Sequence, residues 1–431
     1  MRKFLFIGFY FNHTNEIASK RLRAIGKYLP GFGWEPIVIV PKIDSLNPDN
    51  SEFSNIQIIE TPYEYMLDKF VKKESNKTST KDDVDFNKTN SKKQNKIIEK
   101  GIQLAGEVFA YPDGMKYWYE PTIEVCRKII EKENIECIFS SSFPITSHII
   151  GCDLKKEFNI PWIAELRDLW NLNPYINHTS IRTYFEKRLE KKTFSNVDGL
   201  ITTTLEAKKT LETLHPNKNI YSIPSGYDSK DYIDFLDKKE TPNDKLNFTY
   251  AGTLYQGKRD PSLIFQSINE LICEGKIDES KISLNFYGSN DNLEELSKKF
   301  NVENVVNIHG FIPHRDVLKK EFKSNILMLI SWNNKKEKIF LPGKVFEYMA
   351  LKKPVLSIGY KEGALKNFIN QTNIGYHSST LSETKNNILK FYNEFIETGE
   401  NTFCGNSEIE NYSINKTMEK FAKVFNEASK L

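Results

Sequence analysis

The sequence has no apolar stretch long enough to cross a membrane as a helix, which takes about 20 residues. Its first apolar run, within Lys3–Phe9, is short and stops at the polar segment Asn12–Glu16. Although this start resembles a signal peptide, it is better interpreted as a first β-strand. We therefore expect a cytoplasmic protein without a transmembrane helix.

Neither sign of charge dominates the composition. The chain has 60 Lys and Arg residues against 57 Asp and Glu residues, which gives a formal net charge of +3. A protein dedicated to nucleic acid usually has a strong basic excess or a basic face. The balance therefore argues against a nucleic-acid partner.

Cysteine is scarce, and the five cysteines form no CxxC pair. They are Cys126, Cys137, Cys152, Cys273 and Cys404. This odd number of scattered residues indicates free, mostly buried thiols in a reducing compartment. Walker, zinc and Ser-His-Asp spacings are missing as well. The absence of a GxGxxG fingerprint after Lys3–Gly8 argues against a nicotinamide-dependent dehydrogenase.

The sequence does contain an alternation of short apolar strands and helices, in two separate halves. The strands predicted in the first half are Lys3–Phe9, Pro36–Pro41, Ile135–Ser140, Trp162–Ala164 and Gly199–Thr203. Those in the second half are Leu246–Tyr250, Ile282–Tyr287, Asn304–His309, Asn325–Ile330 and Pro354–Ile358. Such alternation is typical of doubly wound parallel sheets. Because 431 residues exceed one ordinary core, we predict two Rossmann-like α/β domains.

Two polar stretches interrupt this pattern. Residues 69–100 are predicted to be an insertion, either a solvated loop or a segment whose lysines, with Phe70, Phe86 and Ile97, touch an anionic membrane. The stretch 228–245 marks a boundary, so that the first domain is 1–227 and the second is 228–410. A terminal helix within 411–431 is expected to pack back toward the first domain.

Nine segments together resemble the family-four glycosyltransferases, in a branch of the bacterial surface-glycan type. They are Ala18–Arg23, Lys27–Pro36, Ser140–Pro144, Ile160–Trp170, Ile223–Asp228, Tyr250–Tyr255, Lys258–Pro261, Leu341–Ala350 and Lys353–Leu356. Each alone is weak, but their order and spacing span nearly the whole chain. The resemblance implies the GT-B fold, in which an N-terminal acceptor-binding domain and a C-terminal donor-binding domain face a cleft.

Sugar transfer leaves negative charge on the departing diphosphate, which cations, backbone N–H groups or a metal must offset. Lys258 and Arg259 follow a strand and precede a helix predicted to start with Asp260 as N-cap and Pro261 at its first position, at the edge where such sheets bind ligands. The resemblance expects a cation where Thr253 stands, so Arg259 is interpreted as its replacement. A solvated loop pair is the alternative for both cations.

Further donor contacts are predicted along the second half. Gly343 and Lys344 open a helix, where backbone N–H groups and the Lys charge favour phosphate. Gly252 and Gly288 end strands and allow a diphosphate or sugar to approach. By resemblance, Gly310–Pro313 places backbone groups near the base. Ordinary surface and turn roles are the alternatives.

Glu347, on the helix after Lys344, is implied by the resemblance to be the second glutamate of a paired motif. A carboxylate accepts hydrogen bonds from two adjacent ribose hydroxyls. The first glutamate is expected eight positions earlier, where Ile339 stands, and the nearby Glu337 is out of register. The departure weakens any statement about the donor sugar.

Candidate residues of the first half follow its strands. Asp168 is predicted to orient or deprotonate an acceptor hydroxyl, and Arg167 to hold an acceptor phosphate, with an internal Arg–Asp ion pair as the alternative. Arg21 is assigned to the diphosphate or the acceptor. His13 is predicted to line the cleft, whereas His148 is expected to be a packing residue.

Metal ligation is not expected. The pattern Asp83–Asp85 matches the Asp-x-Asp of metal-dependent sugar transferases, but it lies in the polar insertion with no adjacent strand to fix it. The prediction is therefore a metal-independent, retaining glycosyltransferase of the hexosyltransferase type, without a cofactor, that uses a UDP- or GDP-sugar.

Its acceptor is expected to be a glycan or a lipid-linked molecule at the inner membrane face, in surface polysaccharide synthesis. A non-catalytic GT-B protein that binds nucleotide or serves as a scaffold is the alternative, supported by Ile339.

Overall fold

The computed structural model describes residues 1–13, 17–46, 48–63, 107, 109–173, 175–176, 178–236, 243–255, 257–288 and 292–430. The chain divides into two compact units. Unit 1 comprises residues 1–202, 211–221 and 418–431, and unit 2 comprises 203–210 and 222–417. The long segment of the second unit begins at Ser222, a few residues before the predicted boundary stretch 228–245. The predicted insertion 69–100 lies outside the described residues.

The first half of the chain contains seven strands and five helices among its described residues. They are β1 (Arg2–Ile7), α1 (Ile17–Tyr28), β2 (Trp34–Lys42), β3 (Gln57–Pro62), α2 (Tyr119–Lys132), β4 (Ile135–Ser142), α3 (Thr146–Phe158), β5 (Trp162–Leu166), α4 (Ser180–Thr193), β6 (Gly199–Thr202), α5 (Leu205–Leu214) and β7 (Ile220–Ser222).

The second half alternates in the same way. Its elements are α6 (Ile233–Leu236), β8 (Leu246–Ala251), α7 (Ser262–Cys273), β9 (Ile282–Tyr287), α8 (Leu293–Lys299), β10 (Val306–Gly310), α9 (His314–Phe322), β11 (Ile326–Ile330), α10 (Lys344–Ala350), β12 (Val355–Ile358), α11 (Ala364–Thr372), β13 (Gly375–Ser378), α12 (Leu381–Thr398) and α13 (Ile414–Ala428).

Each unit contains one sheet whose strand order reverses once. The seven-stranded sheet has the order β3-β2-β1-β4-β5-β6-β7, and the six-stranded sheet has the order β10-β9-β8-β11-β12-β13. β1 pairs in parallel with β2 and β4, and β8 pairs in parallel with β9 and β11. The order therefore reverses between β1 and β4 in unit 1, and between β8 and β11 in unit 2. Crevices at such points are where open α/β sheets bind ligands.

Large aromatic side chains fill both cores. In unit 1, Phe425 of α13 lies against Phe4 and Phe139 of the sheet, with ring centroids 5.0 and 5.5 Å apart. In unit 2, Phe286 packs edge-on against Phe265 at 5.8 Å. Apolar strands buried on both faces exclude water from the sheet, which is the main source of its stability.

The two doubly wound parallel sheets confirm the predicted Rossmann-like α/β architecture. Every predicted strand is present, with ends shifted by a few residues. β3, β7 and β13 were not predicted. β3 lies at a sheet edge and most of its side chains are partly exposed, and β13 has the polar sequence Gly375–Ser378. Neither has the continuous apolar run that identifies a buried strand.

The five cysteines are free, as predicted, and three of them (Cys126, Cys137 and Cys152) are buried. Within the described part of the chain, no helix combines the length and the apolar character needed to span a membrane.

Candidate functional site

The most open arrangement of candidate residues is at the carboxyl edge of the unit 2 sheet. Gly252 follows β8 and Gly288 follows β9, so the two glycines end neighbouring strands. The Gly252 N–H donates to the Tyr287 carbonyl at 2.8 Å, and the Gly288 N–H donates to the Gly310 carbonyl at 2.7 Å. These bonds hold three successive strand ends together.

Gly288 has no room for a side chain. A Cβ there would be 2.5 Å from the carbonyl oxygen of Gly252, and the residue has φ +113°. Only glycine adopts this conformation readily. Glycine at this position therefore allows the ends of β8 and β9 to pack closely, and both Gly252 and Gly288 remain partly exposed.

Lys344 brings a positive charge to these strand ends. It is the first residue of α10, with Gly343 as N-cap, as predicted. Its Nζ would be 2.7 Å from a Cβ added to Gly252, and it lies 5.7 Å from the centroid of the Tyr250 ring. Lys344 and Gly252, predicted separately as donor contacts, are therefore neighbours.

Lys258 extends from the loop after β8 toward the strand on the other side of the reversal point. Its Nζ lies 5.3 Å from the centroid of the Trp332 ring, a residue just after β11. The Lys258 N–H donates to the Tyr255 carbonyl at 3.1 Å. The cation is therefore held beside the crevice where the strand order reverses.

Arg259 has aromatic partners in its own loop. Its guanidinium lies 4.5 Å from the centroid of the Tyr255 ring, and it hydrogen-bonds the Tyr250 hydroxyl. That hydroxyl donates to the Thr253 carbonyl at 3.0 Å. Burial raises the pKa of Tyr250, while the Arg259 charge opposes the rise. Arg259 thereby organises the loop, and its predicted contact with diphosphate remains a prediction.

The predicted start of α7 was one residue early. The helix begins at Ser262, with Pro261 as its N-cap rather than its first residue. Asp260 still provides the capping interaction, because its Oδ1 accepts from the Ser262 N–H at 2.8 Å. Thr253, which stands where the resemblance expects a cation, is exposed.

Glu347 lies one turn into α10, between the buried Phe346 and Tyr348. Its side chain is 12% exposed, and its Oε2 lies 4.0 Å from Nε2 of His314 at the start of α9. The carboxylate is therefore mostly buried. Such a group retains acceptor capacity toward hydroxyls that approach from its open side.

The position of the absent first glutamate lies in a short 3-10 helix, Lys335–Ile339. The Ile339 carbonyl accepts from the Thr204 hydroxyl at 2.7 Å. Glu337, two residues earlier, is buried. At the end of β10, Gly310 has φ +68° and Phe311 is 87% exposed.

The candidate residues of unit 1 have a different environment. Arg21, on α1, donates through Nε to Oε1 of Glu165 at 2.7 Å, and the Ser141 hydroxyl donates to Oε2 at 2.6 Å. The Arg21 guanidinium also lies 5.1 Å from the centroid of the Phe421 ring. Arg21 is 8% exposed and Glu165 is fully buried. This ion pair links α1, β4 and β5 inside the unit.

Arg167, directly after β5, donates to three backbone carbonyls. These belong to Ser142 at 2.7 Å, Ala18 at 2.7 Å and Phe143 at 3.4 Å. Burial lowers the pKa of Arg167 and raises the pKa of Asp168. The Arg167 charge opposes the rise at Asp168. Arg167 thus fixes the ends of β4 and β5 to the start of α1.

His13 follows β1 and is 7% exposed. Its ring is stacked on Phe9, with centroids 5.6 Å apart, and contacts Tyr10 at 4.8 Å. Burial lowers its pKa to about 4, although a hydrogen bond to the Phe9 backbone acts in the opposite direction. Within the described chain its Nδ1 is buried without a hydrogen-bond partner. The imidazole is therefore neutral at pH 7.

His148 is a core residue, in agreement with its expected packing role. It is fully buried on α3, and its Nδ1 lies 2.8 Å from the Ser140 hydroxyl, which accepts from Trp162 Nε1 at 2.9 Å. Burial lowers its pKa to about 3.

Sequence reasoning assigned no role to Glu165, Trp332 or Tyr250. A signal for Glu165 was available, because a carboxylate inside the apolar strand Trp162–Leu166 requires a buried cation or donor. No such signal was available for Trp332 and Tyr250, because their proximity to Lys258 and Lys344 comes from strand order alone. The part of the chain that is described has no cluster of three or more His, Cys, Asp or Glu suited to a metal ion.

Neither a protein-family model nor a curated protein sequence matches this chain. Solved structures do. Sucrose-phosphate synthase from Thermosynechococcus elongatus is 14% identical, with 99% of both chains covered and a TM-score of 0.63. The lipopolysaccharide outer core galactosyltransferase WaaB is 11% identical, with 100% of both chains covered and a TM-score of 0.55.

A third structure, Anabaena Alr3699/HepE in complex with UDP-glucose, is 10% identical over 100% of this chain and 99% of that chain, with a TM-score of 0.54. At these identities the similarity shows the fold. The chain has the fold of GT-B glycosyltransferases.

Proposed function

We propose that this protein is a glycosyltransferase that moves a sugar from a nucleotide-sugar donor to a glycan or lipid-linked acceptor. The transfer is retaining and metal-independent, and it serves surface polysaccharide synthesis. The protein belongs to the family-four type and works in the cytoplasm, at the inner face of the cell membrane.

The observation that carries the proposal is the grouping at the carboxyl edge of the unit 2 sheet. Gly252 and Gly288 are partly exposed, and Lys344 lies beside Gly252. Lys258 lies against Trp332 on the other side of the reversal point, and Glu347 is on the same helix as Lys344. A nucleotide sugar has matching parts. Its diphosphate requires cations as the anomeric C–O bond breaks, and its ribose requires an acceptor of hydroxyl protons.

Two structural neighbours support the choice of donor and acceptor class. The Anabaena structure contains UDP-glucose, and the name of WaaB describes a galactosyltransferase of the lipopolysaccharide outer core. We assign UDP- or GDP-sugars to this chain by that analogy, which is weaker than the chemistry of the site.

In unit 1, Asp168 and His13 are the proposed groups that orient or deprotonate the acceptor hydroxyl. The pKa of Asp168 is raised and that of His13 is lowered to about 4, both through burial. Because burial disfavours the charged form of each group, these shifts favour orientation of the acceptor hydroxyl over its deprotonation. Arg21 and Arg167, whose described contacts are internal, hold this edge in place.

The experiment is a thermal-shift screen of the full chain with UDP, GDP, ADP and CMP, followed by Glu347→Ala. We expect one nucleoside diphosphate to raise the melting temperature and the variant to lose that rise. The control is Glu294→Ala, on the exposed face of α8, where the side chain is 75% exposed. No rise with any nucleotide or nucleotide sugar would contradict the proposal.

A second candidate is a non-catalytic GT-B protein that binds nucleotide. Ile339 favours it, because an apolar side chain stands where the paired motif has a carboxylate. The two candidates differ in turnover. Nucleotide binding without sugar transfer or donor hydrolysis, over a broad panel of acceptors, would select the second.

A further inference from the structure

Helix α4 of unit 1 has an inverted distribution of side chains. Three of its charged residues, Arg182, Glu186 and Glu190, are buried, whereas the apolar Ile181, Tyr184 and Phe185 are 60%, 55% and 52% exposed. A surface helix normally turns its apolar stripe inward and its charges outward. The exposed apolar stripe of α4 therefore requires an explanation.

The inversion is fixed by partners of the buried charges. Arg182 pairs with Glu186 and donates to backbone carbonyls of the preceding segment, including that of Ala110 at 3.3 Å. Glu186 also accepts from Trp170 Nε1 at 2.5 Å, and Glu190 lies 3.2 Å from Nε2 of His215. Because these interactions set the rotation of the helix, the apolar side chains cannot turn inward.

The exposed face of α4 also contains positively charged side chains. Ile181, Tyr184, Phe185 and Arg188 have the spacing i, i+3, i+4 and i+7 of a single helix face. The Arg188 Nη1 donates to the Tyr184 hydroxyl at 3.0 Å. Lys187, Lys191 and Lys192 are exposed beside it. The two acids of α4 are its buried glutamates, so the exposed face of the helix carries positive charge alone.

A neighbouring segment adds to the apolar part. Phe109 is 58% exposed, and its chain is attached to α4 through Arg182 and through the Tyr111 hydroxyl, which donates to the Phe185 carbonyl at 3.4 Å. We call Phe109 and the exposed side chains of α4 at positions 181, 184, 185, 187, 188, 191 and 192 the α4 surface.

We propose that the α4 surface binds an anionic lipid bilayer. Aromatic and aliphatic side chains enter the boundary between headgroups and acyl chains, while Lys and Arg stay with anionic headgroups. A protein partner would need an apolar and acidic face of matching shape, for which the chain gives no indication. The proposal rests on the membrane location given in the proposed function and names the surface responsible for it, and lipid binding by this surface requires neither donor nor acceptor.

The test is sedimentation of the full chain with vesicles of phosphatidylcholine alone or mixed with phosphatidylglycerol. We expect binding to the mixed vesicles and little to the neutral ones. We expect the triple variant Lys187→Gln, Lys191→Gln, Lys192→Gln to bind the mixed vesicles about 100-fold more weakly. Each lost cation accounts for a factor of about five. Ile181→Ser, Tyr184→Ser and Phe185→Ser together are expected to weaken it at least about ten-fold.

Matched controls come from unit 2. Lys319→Gln, Lys320→Gln and Lys323→Gln remove the same charge from an exposed region, and Leu205→Ser, Ile233→Ser and Ile396→Ser remove exposed aliphatic groups. Both sets are expected to bind like the unmodified chain. Circular dichroism establishes that every variant is folded.

Three outcomes would overturn the proposal. They are no binding of the unmodified chain to the mixed vesicles, binding that survives both α4 variants, and a concentration-dependent dimer that the apolar variant abolishes. The last outcome would make a second copy of the chain the occupant of the α4 surface. The nucleotide thermal shift is a separate readout, so failure here leaves the proposed donor site unaffected.

Discussion

The carboxyl edges of the two sheets use charged residues in different ways. In unit 1, Arg21 and Glu165 are buried and bonded to each other, and Arg167 donates to carbonyls of the unit itself. In unit 2, Lys258 and Lys344 lie beside aromatic rings, Lys344 is also next to Gly252, and Glu347 is partly exposed. The same topology thus buries its charges at one edge and leaves them partly exposed at the other.

The difference shows that position in a fold does not define a role. A charge removed from water is stable only if it is paired and hydrogen-bonded, so a buried pair contributes to the native structure before it contributes to ligand binding. A partly exposed cation is still hydrated, so its stability depends less on a charged partner. We therefore expect substitutions in unit 1 to affect stability, and those in unit 2 to affect nucleotide affinity.

The largest effect is expected for Glu165→Ala. It leaves the Arg21 guanidinium and the Ser141 hydroxyl in the interior without their carboxylate, which is expected to lower the free energy of unfolding by about 4 kcal/mol. Urea denaturation followed by circular dichroism measures the change. The exposed pair Lys298–Glu294 is the control, since Glu294→Gln should cost less than about 1 kcal/mol. Equal effects would remove the contrast between buried and exposed charge.

Gly288→Ala tests the close contact of strand ends in unit 2. The added Cβ would be 2.5 Å from the Gly252 carbonyl oxygen at φ +113°, so we expect a loss of about 3 kcal/mol. Gly257 has φ +81° with nothing within 4 Å of an added Cβ. Gly257→Ala is therefore expected to cost only about 1 kcal/mol. If thermal denaturation showed the two variants to be alike, the contact would not be the cause.

A dependence of stability on pH is expected from unit 1. Burial holds the pKa of His148 at about 3, whereas an unfolded histidine titrates near pH 6.5. The unfolded chain thus gains a proton that the native state excludes, so stability is complete above pH 6.5 and falls as the pH drops toward 3. His148 alone is expected to contribute a loss of about 2 kcal/mol between pH 7 and pH 5.

Urea denaturation at the two pH values checks this loss, and His148→Asn should reduce it. His13, with a pKa lowered to about 4, acts in the same direction. Replacing the exposed His314 by Asn is the control and should leave the pH dependence unchanged. A dependence that persists in full in His148→Asn would assign it to other groups.

The smallest effect in free energy is expected for Lys258→Ala. Removing a cation beside the crevice should weaken nucleoside-diphosphate binding about ten-fold, or about 1.4 kcal/mol, with little change in stability. Isothermal titration calorimetry measures the affinity. Lys281→Ala, on the loop before β9 at the amino end of the sheet, is the control. A stability loss without an affinity loss would make Lys258 a structural residue like those of unit 1.

Much of the fold was predictable because its strands are apolar on both faces. Runs such as Ile37–Val40 and Ile326–Ile330 are buried in the sheets where they were expected. β3 and β13 escaped prediction because neighbouring strands, rather than their own composition, hold them in place. The start of α7 was displaced by one residue because Asp260 can cap from one position farther away than assumed.

Prediction of the site was less complete for a physical reason. The residues Gly252, Lys344 and Glu347 were identified from local patterns, and two of them are adjacent in the structure. Local patterns predicted a ligand-binding role for Arg21 but did not indicate its buried partner Glu165, 144 residues away. The role of Arg21 in binding remains a prediction, whereas its ion pair is a structural fact.

By itself, the sequence determined the alternation of strands and helices, the two parallel sheets and the free cysteines, because these depend on local periodicity and composition. Only the tertiary structure decided which charges are buried in pairs, which lie beside the glycine backbone of unit 2, and which face of α4 is exposed. Those outcomes depend on contacts between residues far apart in the chain. No local pattern encodes such contacts.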